Sequence, residues 1–148
     1  MTGAGLHVLD ALINLAGRVT SVDVRLFACK PPPDPRDSIA VLLQFASGAT
    51  GTMGTVRAGP MYWRVHAFGT GGWAEAQGED RLSVARMGQS PELHQFTHVD
   101  PLFEAVEAFA HAISGGAAFP IAPAQMLETV TAFEAVIAAA KTGRPVTV

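Results

Sequence analysis

His7, Asp10 and Asn14 are the residues whose types and spacing most readily suggest chemistry in this sequence. On a helix, at ~100° per residue, all three fall within about one-sixth of a turn. They would make a narrow polar stripe among apolar neighbours. Imidazole, with an ordinary pKa near ~6.5, can give or take a proton close to neutral pH. The same stripe is what the solvated side of an amphipathic helix looks like, and residue types alone leave both readings open. Arg57 and Arg64 come next, since the guanidinium fork suits a carboxylate or the hydroxyls of a sugar. A surface or interface position is the alternative for each. Tyr62, Trp63 and Trp73 can stack on a sugar ring or simply pack against a sheet.

Other chemistries find less support. His66, His94, His98 and His111 show no metal-ligand spacing with Cys29 or with nearby carboxylates, so no metal is assigned. Cys29 is the only cysteine, which excludes an internal disulfide and points to a reducing compartment. With no histidine near it in sequence, Cys29 reads as a small packed hydrophobe rather than a nucleophile. The ten Lys and Arg are scattered and the net charge is only -3, which argues against a nucleic-acid partner. The first apolar stretch, Leu6 to Ala16, holds His7, Asp10 and Asn14 and lacks a basic flank. It is neither a secretory signal nor a membrane span, and a cytoplasmic location is expected.

The elements that must position these residues follow from hydrophobic period. Leu6, Leu9, Ile13 and Ala16 recur at helical spacing, and Gly17 sits where a helix commonly stops. From Val19 to Lys30 the period changes to two: Val22, Val24, Leu26 and Ala28 should face a core, alternating with the mixed set Asp23, Arg25, Phe27 and Cys29. Pro31-Pro32-Pro33-Asp34-Pro35 interrupts this strand as a loop. Strands are then expected at 38–45 and 50–57, joined by the hairpin Ala46-Ser47-Gly48-Ala49, and at 62–68, 73–77, 82–86 and 92–99. Asp100-Pro101 caps a helix with the apolar stripe Leu102, Val106, Phe109, Ala110 and Ile113, ended by Gly115-Gly116. A last helix, from about Pro123 to Lys141, places Met126, Val130, Phe133, Ile137 and Ala140 on one face.

Helix, about six or seven strands, then two helices is the order of an α+β domain. The expectation is a single domain over 1–148: an open, mainly antiparallel sheet with helices packed on one face. The other face would carry Phe27, Met53, Phe68, Trp73 and one of Tyr62 or Trp63. That is much apolar surface to leave in water, and a sheet-to-sheet homodimer is predicted.

Five segments, in order, carry a family likeness. Gly5-Leu6-His7-Val8-Leu9-Asp10 with Leu15-Ala16-Gly17 resembles the GxHxxD segment that opens the C-terminal domain of the Gfo/Idh/MocA oxidoreductases. Asp37-Ser38-Ile39-Ala40 and Phe45-Ala46-Ser47-Gly48-Ala49-Thr50-Gly51 resemble its hairpin. Phe68-Gly69-Thr70-Gly71-Gly72-Trp73-Ala74-Glu75 is similar to its G-T-x-G-x-x-E turn. Phe109 to Gly116 with Phe119-Pro120-Ile121, and Glu134-Ala135-Val136-Ile137 through Thr142-Gly143-Arg144-Pro145-Val146, resemble its later helix, loop, closing helix and strand.

The resemblance implies a substrate-binding and oligomerisation domain of an NAD(P)-dependent oxidoreductase acting on a sugar- or polyol-like alcohol or carbonyl. It implies His7 as the catalytic group that binds or deprotonates a hydroxyl. Asp10 is read as the substrate-side neighbour that orients His7 or a nearby backbone group, and Arg57 and Arg64 are taken, on residue type alone, as further substrate contacts. Members carry an N-terminal Rossmann domain with a Gly-rich phosphate turn and a Glu-Lys-Pro segment, and neither motif is in this sequence. Gly69-Thr70-Gly71-Gly72 is no substitute, because a strand rather than a helix is expected after it. The chain alone is therefore expected to bind no cofactor and to be inactive. A truncated frame, a fragment and a natural stand-alone domain all fit. Many members also have an aspartate four residues before the histidine, where this sequence has Gly3. Two other readings stand beside this one: a non-catalytic oligomerisation or ligand-binding module, and a small stand-alone α+β enzyme.

Overall fold

The computed structural model describes residues 4–29, 31, 37–57, 59–60 and 62–148. Gly3, Lys30 and most of the proline loop, 32–35, lie outside the described residues. Three helices and eight strands follow in the order α1 (Ala4–Ala16), β1 (Val19–Phe27), β2 (Ser38–Phe45), β3 (Thr50–Val56), β4 (Arg64–Gly69), β5 (Gly72–Gln77), β6 (Arg81–Arg86), β7 (Glu92–Gln95), α2 (Pro101–Ile113), α3 (Pro123–Thr142) and β8 (Val146–Thr147). The class is α+β with antiparallel pairing, as the period changes in the sequence lead one to expect. The strands form two sheets of four, ordered β3-β2-β1-β8 and β4-β5-β6-β7. The chain also divides into two compact units, 1–61 with 124–148, and 62–123.

The first unit holds the main core. Val22 and Val24 of β1 pair with Leu43 and Val41 of β2, and Val41 pairs with Met53 of β3. Paired residues point to the same face, so these five side chains line one surface of the sheet. Leu9 and Ile13 of α1 and Ala132, Ala135, Val136 and Ala139 of α3 join the same buried cluster. Burying a Leu or Val side chain contributes about 1.5–3 kcal/mol each, which makes this cluster the main source of the unit's stability. Gly51, opposite Leu43, is part of the fit: a Cβ there would meet Phe45 Cε2 at 3.0 Å.

Two expected faces change. Met53 was expected on the open face, yet it is 3% exposed, because the β2–β3 register puts it beside Val41. The run Thr50-Gly51-Thr52-Met53-Gly54-Thr55 has no polar–apolar alternation from which its facing could be read. On α3 the buried residues are Thr129, Ala132, Ala135, Val136 and Ala139, whereas Val130 and Met126 of the expected stripe are largely exposed. A helix apolar nearly all round gives no clear period, and small side chains allow the closer approach. The open face of this sheet carries Phe27, Leu42 and Val56, each half or more exposed.

In the second unit, Asp100 Oδ1 accepts from the backbone N–H of Leu102 at 2.9 Å and of Phe103 at 3.3 Å, capping α2 as expected. The Gly116 N–H closes the other end on the His111 carbonyl at 2.9 Å. The stripe Leu102, Val106, Phe109 and Ile113 is present, but no residue of α2 is buried. Among the described residues no helix is long and apolar enough to cross a membrane.

Candidate functional site

The polar stripe of α1 forms as its spacing requires. Leu9 and Ile13 are buried, which turns His7 and Asn14 out to solvent and leaves Asp10 half-buried between them. No hydrogen bond or ion pair joins His7 to Asp10 among the described residues. Asp10 is held from elsewhere: the Thr129 hydroxyl on α3 donates to its Oδ1 at 2.9 Å. Sequence reasoning missed Thr129, which lies 119 residues away. Its one signal is helical spacing, which puts Thr129 on the same face as Ala132 and Val136.

Arg57 follows β3 in the same unit. Its backbone N–H donates to the Asp37 carbonyl at 2.8 Å, and its side chain is exposed. Asp37 anchors the neighbouring chain: its Oδ1 accepts from the Cys29 N–H at 2.8 Å and from the Ser38 hydroxyl at 3.2 Å. The Cys29 N–H, with Ser38 adding to it, holds the Asp37 carboxyl below the ordinary carboxylate range. Cys29 is exposed, with Sγ 2.9 Å from Ser38 Oγ, rather than packed as expected. β1 ends at Phe27, so Cys29 lies past the strand and its alternation.

Arg64 belongs to the second unit, where β4 and β5 set His66 opposite Glu75. Arg64 Nε forms an ion pair with Glu75 Oε1, although the two are not aligned as a hydrogen bond. His66 Nε2 lies 3.4 Å from the other carboxylate oxygen. Glu75 is buried at 8% exposure, while the Arg64 side chain is 38% exposed. The guanidinium carbon also stands 5.2 Å from the centroid of the Tyr62 ring. The His66 ring contacts Phe68, at 4.8 Å between centroids, and Trp73, edge-on at 5.9 Å. Tyr62 and Trp73 thus partner side chains of their own sheet. Glu75 entered the sequence reading only as the last residue of the G-T-x-G-x-x-E turn, though counting outward from the Thr70-Gly71 turn pairs it with His66.

The Gly-rich turn is a β-hairpin. Gly72 has φ +147° and pairs with Arg86, and a Cβ there would stand 2.0 Å from the Ala85 carbonyl oxygen. The glycine is needed for the approach of β6. No helix N-terminus follows it, so these residues do not fit a nucleotide pyrophosphate. Among the described residues no group of three or more His, Cys, Asp or Glu could hold a metal ion.

The model of the GFO/IDH/MocA C-terminal domain matches residues 1–75, half of the sequence, including α1 and the strands up to β5. The chain belongs to the GFO/IDH/MocA family. Solved structures of oxidoreductases share the fold over 97% of its length. A proposed NADPH-dependent oxidoreductase from Desulfitobacterium hafniense has a TM-score of 0.83 at 23% identity, with 46% of that chain covered. Aldose-aldose oxidoreductase from Caulobacter crescentus, complexed with glycerol, gives 0.78 at 22%, also with 46% covered. An oxidoreductase from Agrobacterium radiobacter, in complex with NAD+, L-tartaric acid and magnesium, gives 0.79 at 21% with 47% covered. No curated protein matches the chain significantly. This GFO/IDH/MocA chain spans about half the length of the structures it matches.

Proposed function

We propose that residues 1–148 act as one GFO/IDH/MocA C-terminal domain, the substrate-binding and oligomerisation part of an NAD(P)-dependent oxidoreductase acting on a sugar- or polyol-like alcohol or carbonyl. The observation that carries this is the exposed His7 on α1, beside a half-buried Asp10, in a chain of this family. In this reading His7 binds the reacting hydroxyl and exchanges its proton, which typically accelerates a reaction ~10²–10⁴-fold. Asp10 contacts the substrate from the same stripe. Arg57 and Arg64 are proposed as further substrate-binding side chains. Arg64, already paired with Glu75, suits a hydroxyl better than a carboxylate. The glycerol and L-tartaric acid in the Caulobacter and Agrobacterium structures are small hydroxylated molecules, which supports the substrate class.

The nicotinamide nucleotide is proposed to come from a Rossmann domain, as the NAD+ of the Agrobacterium complex suggests, and no step of the reaction is assigned to the Gly69–Gly72 turn. The chain alone is then inactive, and it pairs with a second copy through open sheet face. A cytoplasmic location goes with this reading. Calorimetric titration of the 148-residue chain with NAD(H) and NADP(H) tests it. No binding is expected, and a micromolar affinity would defeat the proposal. If a Rossmann domain restores turnover, His7→Ala should then lower kcat by about 10²-fold or more.

A further inference from the structure

The buried face of α3 consists of three alanines, a valine and one hydroxyl, that of Thr129, at 6% exposure. Thr129 Oγ1 lies 2.9 Å from Asp10 Oδ1 and 3.0 Å from the Gln125 carbonyl oxygen. The hydroxyl has a single proton, and the bond to the carboxylate is the stronger because its acceptor is charged. The Gln125 carbonyl already has a donor within the helix, so it can do without this proton. Among the described residues no side chain donates to Asp10 Oδ2. Asp10 therefore has one oxygen fixed and one free, and it stands one helical turn after the exposed His7.

We infer that Thr129 is a positioning residue: it fixes Asp10 through Oδ1 so that Oδ2 accepts from a hydroxyl of a ligand lying along the His7 stripe. This rests on the proposal that the stripe faces substrate. A carboxylate free at both oxygens would rotate about its terminal torsions, and ordering it would weaken ligand binding. Holding one oxygen in advance removes that cost. The bond also links α3 to α1, so it fixes the side to which the stripe points.

The test uses NMR on the 148-residue chain, following the His7 ring resonances with glycerol and myo-inositol as probes. In Thr129→Val, polyol binding should weaken about tenfold, the effect of losing one hydrogen bond to a charged group. Thr129→Ser should restore it to within about twofold, since the hydroxyl returns. Without ligand, the His7 resonances should move in Thr129→Val and return in Thr129→Ser. Ala139→Gly loosens the same helix face without touching the hydrogen bond and should leave them in place. Thr129→Ala takes the place of the valine variant if that one does not fold. Unmoved His7 resonances, or wild-type polyol affinity without the hydroxyl, would overturn the inference. If the wild-type chain binds no polyol, the substrate-facing reading fails, and the ligand-free spectra still decide whether Thr129 positions the stripe.

Discussion

Arg64 on β4 pairs diagonally with Glu75 on β5, and the two partners differ in burial: the carboxylate is enclosed while the guanidinium stays part-exposed. The pair should therefore respond unequally to the loss of either member. Arg64→Ala leaves a buried carboxylate with only His66 beside it, and should cost about 2–3 kcal/mol, below the full buried-pair penalty because the arginine is part-exposed. Glu75→Gln releases an arginine that water can solvate, and should cost about 1 kcal/mol. Urea denaturation of both variants checks the order. Equal losses would mean that the enclosure of Glu75 contributes little.

Gly72 allows a sharp contrast within one residue type. Its positive φ and the 2.0 Å approach of a Cβ to the Ala85 carbonyl should make Gly72→Ala costly, about 3 kcal/mol or more. Gly54 lies on the open face of β3 with nothing within 4 Å of a Cβ, so Gly54→Ala should change stability by less than about 1 kcal/mol. Thermal melts of the two variants give the comparison directly.

Asp37 should give the protein an acid-sensitive component. The Cys29 N–H, more than Ser38, favours its charged form in the folded chain, so folding lowers its pKa from the ordinary 3.8. Such a group stabilises fully above its unfolded value and loses the contribution as pH falls through the folded one. Wild type should exceed Asp37→Asn in urea midpoint at pH 7, and the gap should narrow as pH drops below 3.8. A gap that stays constant down to pH 2 would contradict this account.

The proposed homodimer makes its own demand. Phe68 of the second unit, 76% exposed, and Phe27 of the first, 55% exposed, are large apolar side chains on strands of the two sheets. Phe68→Glu and Phe27→Glu should leave the far-UV circular dichroism unchanged, and at least one of them should convert a dimer to a monomer in sedimentation velocity and lower the melting temperature by the share that pairing contributed. A wild-type chain that stays monomeric at ~100 μM would remove the case for pairing, since specific interfaces hold well below that concentration.

Much of this molecule is legible from local pattern. α1, the buried side of β1 from Val22 to Leu26, the Ser47-Gly48 hairpin and the Asp100 cap each rest on a few neighbouring residues, and each forms as expected, while Ala28, expected to face the core, lies past the end of β1 and is exposed. The failures share a cause: Met53, the packed face of α3 and the Asp10–Thr129 bond are all fixed by partners distant in sequence. So is β8, only two residues long and paired with Ser21 and Val22 at the other end of the chain. Its existence was implied by family resemblance, since no two-residue strand can show a period. The candidate site divides the same way: the stripe of His7, Asp10 and Asn14 could be read from spacing, whereas the partner of its carboxylate could not.

The unit with the main core is assembled from two stretches of chain, 1–61 and 124–148, with an uninterrupted segment between them. On the ribosome this imposes a schedule. Val22, Val41 and Leu43 emerge about 90 residues ahead of Ala132, Val136 and Ala139, which complete their enclosure. At ~5–20 residues per second, the nascent sheet waits several seconds with oily residues uncovered. A stop codon placed before α3, which removes that helix and β8, should thus yield a product that chaperones hold and proteases clear, even though the first seven strands have been translated.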